Sequence, residues 1–378
     1  MEQSGRRNSP LQWPTEGGKF SRQGKAMRRK QRDPERFDPV ELFTAMGRNH
    51  DYKINADGDI EDFLQRVGRS LKDSQKNLTM LHGKRVEAMF AHVAGALGKC
   101  RMIKQEDSGS LFVGADEVEI PDYRIILLDG TSYFVEVKNF HMKGFRSEFT
   151  IPKKSVRKLE AYADLNGLPL RIAAYFSNPR VWVLLPKAAF RETKNHFAIG
   201  FADAIARNEM AILGDRTIAT LPELRIELHG DHDECSVPDD GGEVLFTTRR
   251  VGIYCRDQEV TDRDGKEIAF YLMRHGTWPE QYAHAIMSEG KVVGLRFGFS
   301  PDDPVENQDL QIIGALSTMV SSAYGEMTVG ESSVLALDVK HDPAVFTLRI
   351  PDGFKEPSLP LWQFIFQPNY DMKKSAAA

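Results

Sequence analysis

At 378 residues, 41% hydrophobic and 28% charged, the chain is long enough for two or three domains with a sizeable core. A net charge of −4 excludes a uniformly basic nucleic-acid coat, and no apolar run approaches the roughly 18 residues that crossing a bilayer demands. Three scattered cysteines, Cys100, Cys235 and Cys255, exclude a disulfide framework; with a polar N-terminus lacking an apolar stretch, they lead us to expect a cytoplasmic protein and no membrane.

Residues 1–36 are rich in Gly, Ser, Pro and Arg and read as a disordered basic arm. Arg28, Arg29 and Lys30 belong to it, and such an arm either grips phosphates or is a solvated tail. A short helical segment over 37–72 follows, with helices expected near 38–47 and 58–71. A longer helix is capped by Asp73 or Ser74, carries Leu78, Leu81, Val86, Met89, Phe90, Val93 and Leu97 at helical spacing, and closes at Gly98.

From residue 111 the period shortens. "SLFVG", "IPDYRIILL" and "TSYFVEVK" read as strands, the last two joined at Asp129-Gly130. A helix over 153–166 ends at Gly167, "LPLRIAAYF" and "VWVLLP" are buried strands, and 187–212 reads as helical. Residues 73–221 thus form one α/β unit. The acidic, Gly-rich 222–243 reads as a linker or loop, and 244–378 as a β-rich accessory domain. Its expected strands are "EVLFTTRRVGIYC", "EIAFYLMR", "KVVGLRFGF", "SVLALDVK" and "AVFTLRI", with one helix near 307–323.

Inside the first unit, Asp122, Glu136 and Lys138 interrupt strands that otherwise look buried. Side chains alternate along a strand, so Glu136 and Lys138 share a face. A two-residue turn at Asp129-Gly130 would pair 122 with 137 and put Asp122 on the other face. A three-residue loop with Gly130 left-handed pairs 127 with 131 and 122 with 136, so the spacing predicts φ > 0 at Gly130. Two such carboxylates suit a hard cation such as Mg²⁺, which takes one or two carboxylates plus waters and substrate phosphate, with the Val137 carbonyl as a further oxygen. Lys138 would orient the attacking water or take its proton.

Pro121-Asp122 followed by Glu136-Val137-Lys138 resembles the PD-(D/E)XK nuclease superfamily, which includes restriction endonucleases and Holliday-junction resolvases. The resemblance spans about 73–186. It implies a restriction-endonuclease-like mixed sheet flanked by helices, a Mg²⁺ cofactor for which Mn²⁺ substitutes, and DNA as the partner. It further implies an endonuclease in restriction, defence or repair, with a homodimer or larger complex formed through the C-terminal domain. Asp122 and Glu136 correspond to the metal carboxylates and Lys138 to the motif lysine. Members often carry a helical Glu before the core strands, which places Glu87, beside Gly83, Ala91 and Ala94, at the metal; the alternative is an ordinary border residue of an amphipathic helix. On the helix after the catalytic strand, where members often place Gln or Lys, this chain has Lys154, Ser155 and Lys158, candidate nucleic-acid contacts.

A second acid-x-Lys, Asp338 and Lys340, ends another apolar run but lacks the upstream Pro-Asp hairpin. His229, His232 and Cys235 have ligand-like spacing without a fourth partner and read as a polar loop. Two alternatives stay open: a nucleic-acid-binding or scaffold protein with this fold that does not cut, and a nuclease acting on RNA.

Overall fold

The computed structural model describes residues 27–30, 33–106, 111–114, 117–233, 237–239, 241–330 and 333–372. Most of the expected basic arm therefore lies outside the described residues; only Met27–Lys30 and Asp33 onward fall within them. Helix α1 (Pro34–His50) starts where Asp33 accepts from the amides of Glu35 and Arg36, and α2 is Asp57–Ser74. The next helix, α3 (Leu78–Ala96), is capped by Asn77, which accepts from the Met80 amide at 3.1 Å. Asp73 and Ser74, expected as its caps, instead form the last turn of α2. Gly98, at φ 81°, closes α3 as expected.

Strands β1 (Cys100–Gln105), β2 (Tyr123–Leu127), β3 (Ser132–Phe140), β5 (Leu170–Phe176) and β6 (Val181–Pro186) make one sheet in the order β1-β2-β3-β5-β6. Its β3–β5 pair is parallel and the rest are antiparallel, so the sheet is mixed. "SLFVG" supplies no strand over its described part, 111–114; the edge is β1, whose polar residues carry no strand signal. On one face lies α3, whose Met89, Phe90 and Val93 are fully buried against Ile125, Val135 and Ala173. Each such apolar side chain contributes about 1.5–3 kcal/mol by leaving water. On the other face lie α4 (Lys153–Leu165) and a small sheet of β4 (Glu148–Pro152), β7 (Arg191–Glu192) and β8 (His196–Gly200), with Phe149, Ile151, Val156 and Ile199 packed against Ile172 and Phe176. The mixed sheet flanked by helices is the expected α/β architecture.

The remaining elements are α5 (Phe201–Ala206), β9 (Thr217–Thr220), β10 (Leu224–Gly230), β11 (Thr248–Cys255), β12 (Gln258–Glu259), α6 (Arg263–His275), β13 (Glu280–Ser288), β14 (Lys291–Phe299), β15 (Gln311–Ala315), α7 (Leu316–Thr328) and β16 (Leu361–Phe364). They supply an antiparallel sheet, β12-β11-β10-β14-β13, and a smaller one, β15-β9-β16. The stretch read as a linker contains β10, and α7 buries Val320, Ala323 and Tyr324 in the same core as α3. Three expected strands are corrected. "EIAFYLMR" is the body of α6, because Ile268 and Leu272 sit one turn apart behind an Asp262 cap. "SVLALDVK" makes only a bridge, and "AVFTLRI" opens as a 3-10 turn, Pro343–Phe346. The expected 307–323 helix begins only at Leu316, after β15, and 187–212 contains β7 and β8 besides its helical turns.

Candidate active site

The β2–β3 hairpin sets the geometry. Gly130 stands at φ 90°, its amide donates to the Leu127 carbonyl at 3.1 Å, and the Leu127 amide donates to Thr131 at 2.8 Å. The Thr131 amide is held by the Asp129 side chain at 2.8 Å. Pairing then runs Ile126 with Ser132 through Tyr123 with Val135, the register of the three-residue loop. Continued one step, that register would put Asp122 opposite Glu136, but Asp122 lies in a bend just outside β2. There the ladder ends, and the Asp122 side chain accepts from the Val137 amide at 2.7 Å. Pro121, which has no amide to offer, precedes the strand, as its chemistry requires.

Glu136 is buried at 4% exposure, and Lys138, one strand repeat on, donates to its carboxylate. Burial first, and the Glu136 charge second, push Asp122 up to about 7 against the Val137 bond. Glu136 is raised by burial, with Lys138 opposing. For Lys138, burial lowers the pKa, but Glu136, Asp122 and Glu87 together outweigh it and hold the side chain as an ammonium. Two carboxylates held this close in a poorly solvated place repel each other, and a cation would relieve that repulsion.

Glu87 acts on both Asp122 and Lys138 through its charge, so α3 brings it to the same locality. Its carboxylate is held by Lys84 at 2.7 Å, and Tyr123 on β2 donates to the Glu87 carbonyl at 3.1 Å, tying helix to hairpin. Among the described residues no cluster of three or more His, Cys, Asp or Glu side chains is built to hold a metal. The oxygen donors gathered here are the Asp122 and Glu136 carboxylates, whose charges act on each other, with the Val137 backbone bonded to the first.

The helix residues lie close by but are engaged. Lys154 and Lys158 reach Glu117 at 3.9 and 3.0 Å, and Ser155 donates to the Glu119 carboxylate at 3.0 Å. Glu119, two residues before Pro121, also raises Glu136 by its charge; sequence reasoning missed it, although a third acid so near the motif was a usable signal. Of the arm residues, Arg28 and Lys30 are exposed, whereas Arg29 pairs with Asp338 at 2.9 Å and meets His92 Nε2 at 2.9 Å. Burial works against the Asp338 carboxylate, yet bonds from His92, the Val339 amide and Arg29 hold it well below the usual range. That rival acid is thus a tie for the N-terminal segment. His229 lies in β10 beside Glu227 at 3.1 Å, and Cys235 is outside the described residues.

No protein-family model and no curated protein matches this chain. Among solved structures it is similar to Hjc, a Holliday junction resolvase of the archaeal hyperthermophile Archaeoglobus fulgidus. The two are 18% identical over 25% of this chain and 78% of that one, with a TM-score of 0.20. Among the described residues no helix is long and apolar enough to cross a membrane.

Proposed function

We propose that this chain is a Mg²⁺-dependent endonuclease hydrolysing DNA phosphodiester bonds, of the PD-(D/E)XK type that its motif resembles. The observation that supports this is local: where the β2–β3 ladder ends, Asp122 accepts from the Val137 amide, between Glu136 and Lys138, which pair with each other. A structural strand has little reason to keep this trio, since buried charges cost stability unless they serve something.

Asp122, Glu136 and the Val137 carbonyl would hold the ion, with Glu87 beside them. A bound divalent cation stabilises charge on the phosphate and lowers the pKa of the attacking water. Lys138 orients that water through its ammonium. Burial at Lys138 favours the neutral amine and the charge on Glu136 opposes it, so a cation bound at Glu136 would move Lys138 towards giving up a proton.

Nicking of supercoiled plasmid tests the reading, with Mg²⁺, with Mn²⁺ and with chelator. We expect cleavage that needs the metal and falls by two to four orders of magnitude in Lys138→Ala, roughly the contribution of a positioned proton-transfer group. Equal cutting by wild type and Lys138→Ala removes this site from the mechanism; binding without cutting by the wild type makes the chain a binder. Competition between labelled DNA and RNA decides the substrate.

A further inference from the structure

An open groove of about 670 Å³ lies along the start of α4 and takes no part in the chemistry above. Lys153, Lys154, Arg157 and Lys158 line it from the first turns of α4, and Lys194 from the β7–β8 turn; Glu117 is the single carboxylate in the lining. The four α4 cations fall at i, i+1, i+4 and i+5, a spacing at which like charges repel. Glu117 answers Lys158 at 3.0 Å and Lys154 more loosely at 3.9 Å, while Lys153 is drawn to Glu192 at 2.6 Å. Arg157 and Lys194, both exposed, make no ion pair among the described residues. Five cations around a hollow, partly answered by two exposed acids, Glu117 and Glu192, are what an anion site looks like without its anion.

One residue, Glu119, links this lining to the carboxylates. The Glu119 amide donates to the Lys158 carbonyl at 3.2 Å, and the Glu119 charge is felt at Glu136. We propose that this cavity holds a backbone phosphate of the nucleic-acid strand presented to Asp122 and Glu136, and that Glu117 takes the phosphate's place on Lys158 in the free protein. The presentation of the strand rests on the function proposed above; the binding does not, and it is measurable with no cutting.

The test is fluorescence anisotropy of a short labelled single-stranded DNA with the full chain, in chelator, across a range of KCl. For Arg157→Ala/Lys194→Ala we expect weaker binding and a shallower salt dependence, the slope falling by about 0.7 for each phosphate no longer neutralised. Glu117→Gln should tighten binding several-fold, because the internal competitor has lost its charge. Arg263→Ala/Lys266→Ala on α6 removes the same charge elsewhere and controls for the general field. If the cavity variant weakens binding no more than the α6 control, or Glu117→Gln leaves affinity unchanged, the proposal is wrong. Equal competition by polyglutamate also overturns it, since the site would then take any polyanion. Loss of binding in the cavity variant together with unimpaired cutting by Lys138→Ala would uphold the subsite while rejecting the catalytic assignment.

Discussion

Asp122 Oδ2 accepts from the Val137 amide at 2.7 Å, a rung that its own backbone does not make. The ladder of β2 and β3 stops at Tyr123 and Val135, and beyond it a side chain takes over. The carboxylate is thereby fixed in direction at the place where its charge is least welcome.

That placement predicts a stability that runs against function. Burial and then the Glu136 charge push Asp122 up to about 7 from an ordinary 3.8, so between those values the folded chain holds a proton that the unfolded chain has lost. Folding is therefore undisturbed by this group at low pH and is progressively weakened as pH rises through 7. Asp122→Asn keeps an acceptor for Val137 and removes the charge. In chelator at pH 8 the variant should be more stable by on the order of 2–4 kcal/mol, with the advantage shrinking by half or more at pH 5. Denaturant melts at the two pH values check this; a variant no more stable at pH 8 than at pH 5, relative to wild type, contradicts it. Added Mg²⁺ should stabilise the wild type and leave the variant nearly unmoved.

Glu87 reaches the locality from another element, so its contribution should separate from folding. Glu87→Gln loses the Lys84 ion pair, which is worth little on a half-exposed helix. Cleavage should nonetheless fall about 10–100-fold, the usual cost of removing a group that supports a metal site, with more Mg²⁺ needed for half-maximal rate. A Mg²⁺ titration of initial rates is the measurement. An unchanged curve would return Glu87 to the border of its helix.

Gly130 bears on register rather than chemistry. Nothing lies within 4 Å of where a β-carbon would stand, so a substitution there meets only the cost of φ 90°. Gly130→Ala should destabilise by about 1–2 kcal/mol, and Gly130→Asn by less, since Asn tolerates left-handed backbone. Urea unfolding of the two variants decides it; equal stability of Gly and Ala would show that the loop does not need this conformation.

The hairpin was legible because its information is local: an apolar alternation, an Asp-Gly turn and a motif within seventeen residues of one another define a register. α6 reads wrongly as a strand because a run of Ile268, Phe270, Tyr271 and Leu272 satisfies a strand's composition, and only the Asp262 cap and the i, i+4 spacing of Ile268 and Leu272 mark the helix. β1 has the opposite trouble, being a mostly polar edge whose partner supplies the apolar face. Arg29 with Asp338, and α7 with α3, join residues hundreds of positions apart, and no periodic pattern records such a meeting. The basic cavity was half visible, as Lys154 and Lys158. Lys194 joins them only because β8 pairs with β4 and carries its turn to the start of α4.

The C-terminal segment offers a last test of how distant parts hold the core. Arg207 is 1% exposed, donates to Asp203 at 2.6 Å, and gives a second bond to the Met372 carbonyl. Nearby, Asn369 donates to the Ala206 carbonyl at 2.7 Å, and Tyr370 meets Glu209, which also receives Arg171 at 2.5 Å. A buried ion pair gains little over apolar packing, but breaking one leaves a charge without water or partner. Asp203→Ala should therefore cost about 3–5 kcal/mol. Truncation after Gln367 should cost less, because Arg207 keeps Asp203 when Met372 is gone. Unfolding of the two proteins by urea gives the order directly. A truncation as costly as Asp203→Ala would mean that the tail, and not the carboxylate, holds Arg207 in place.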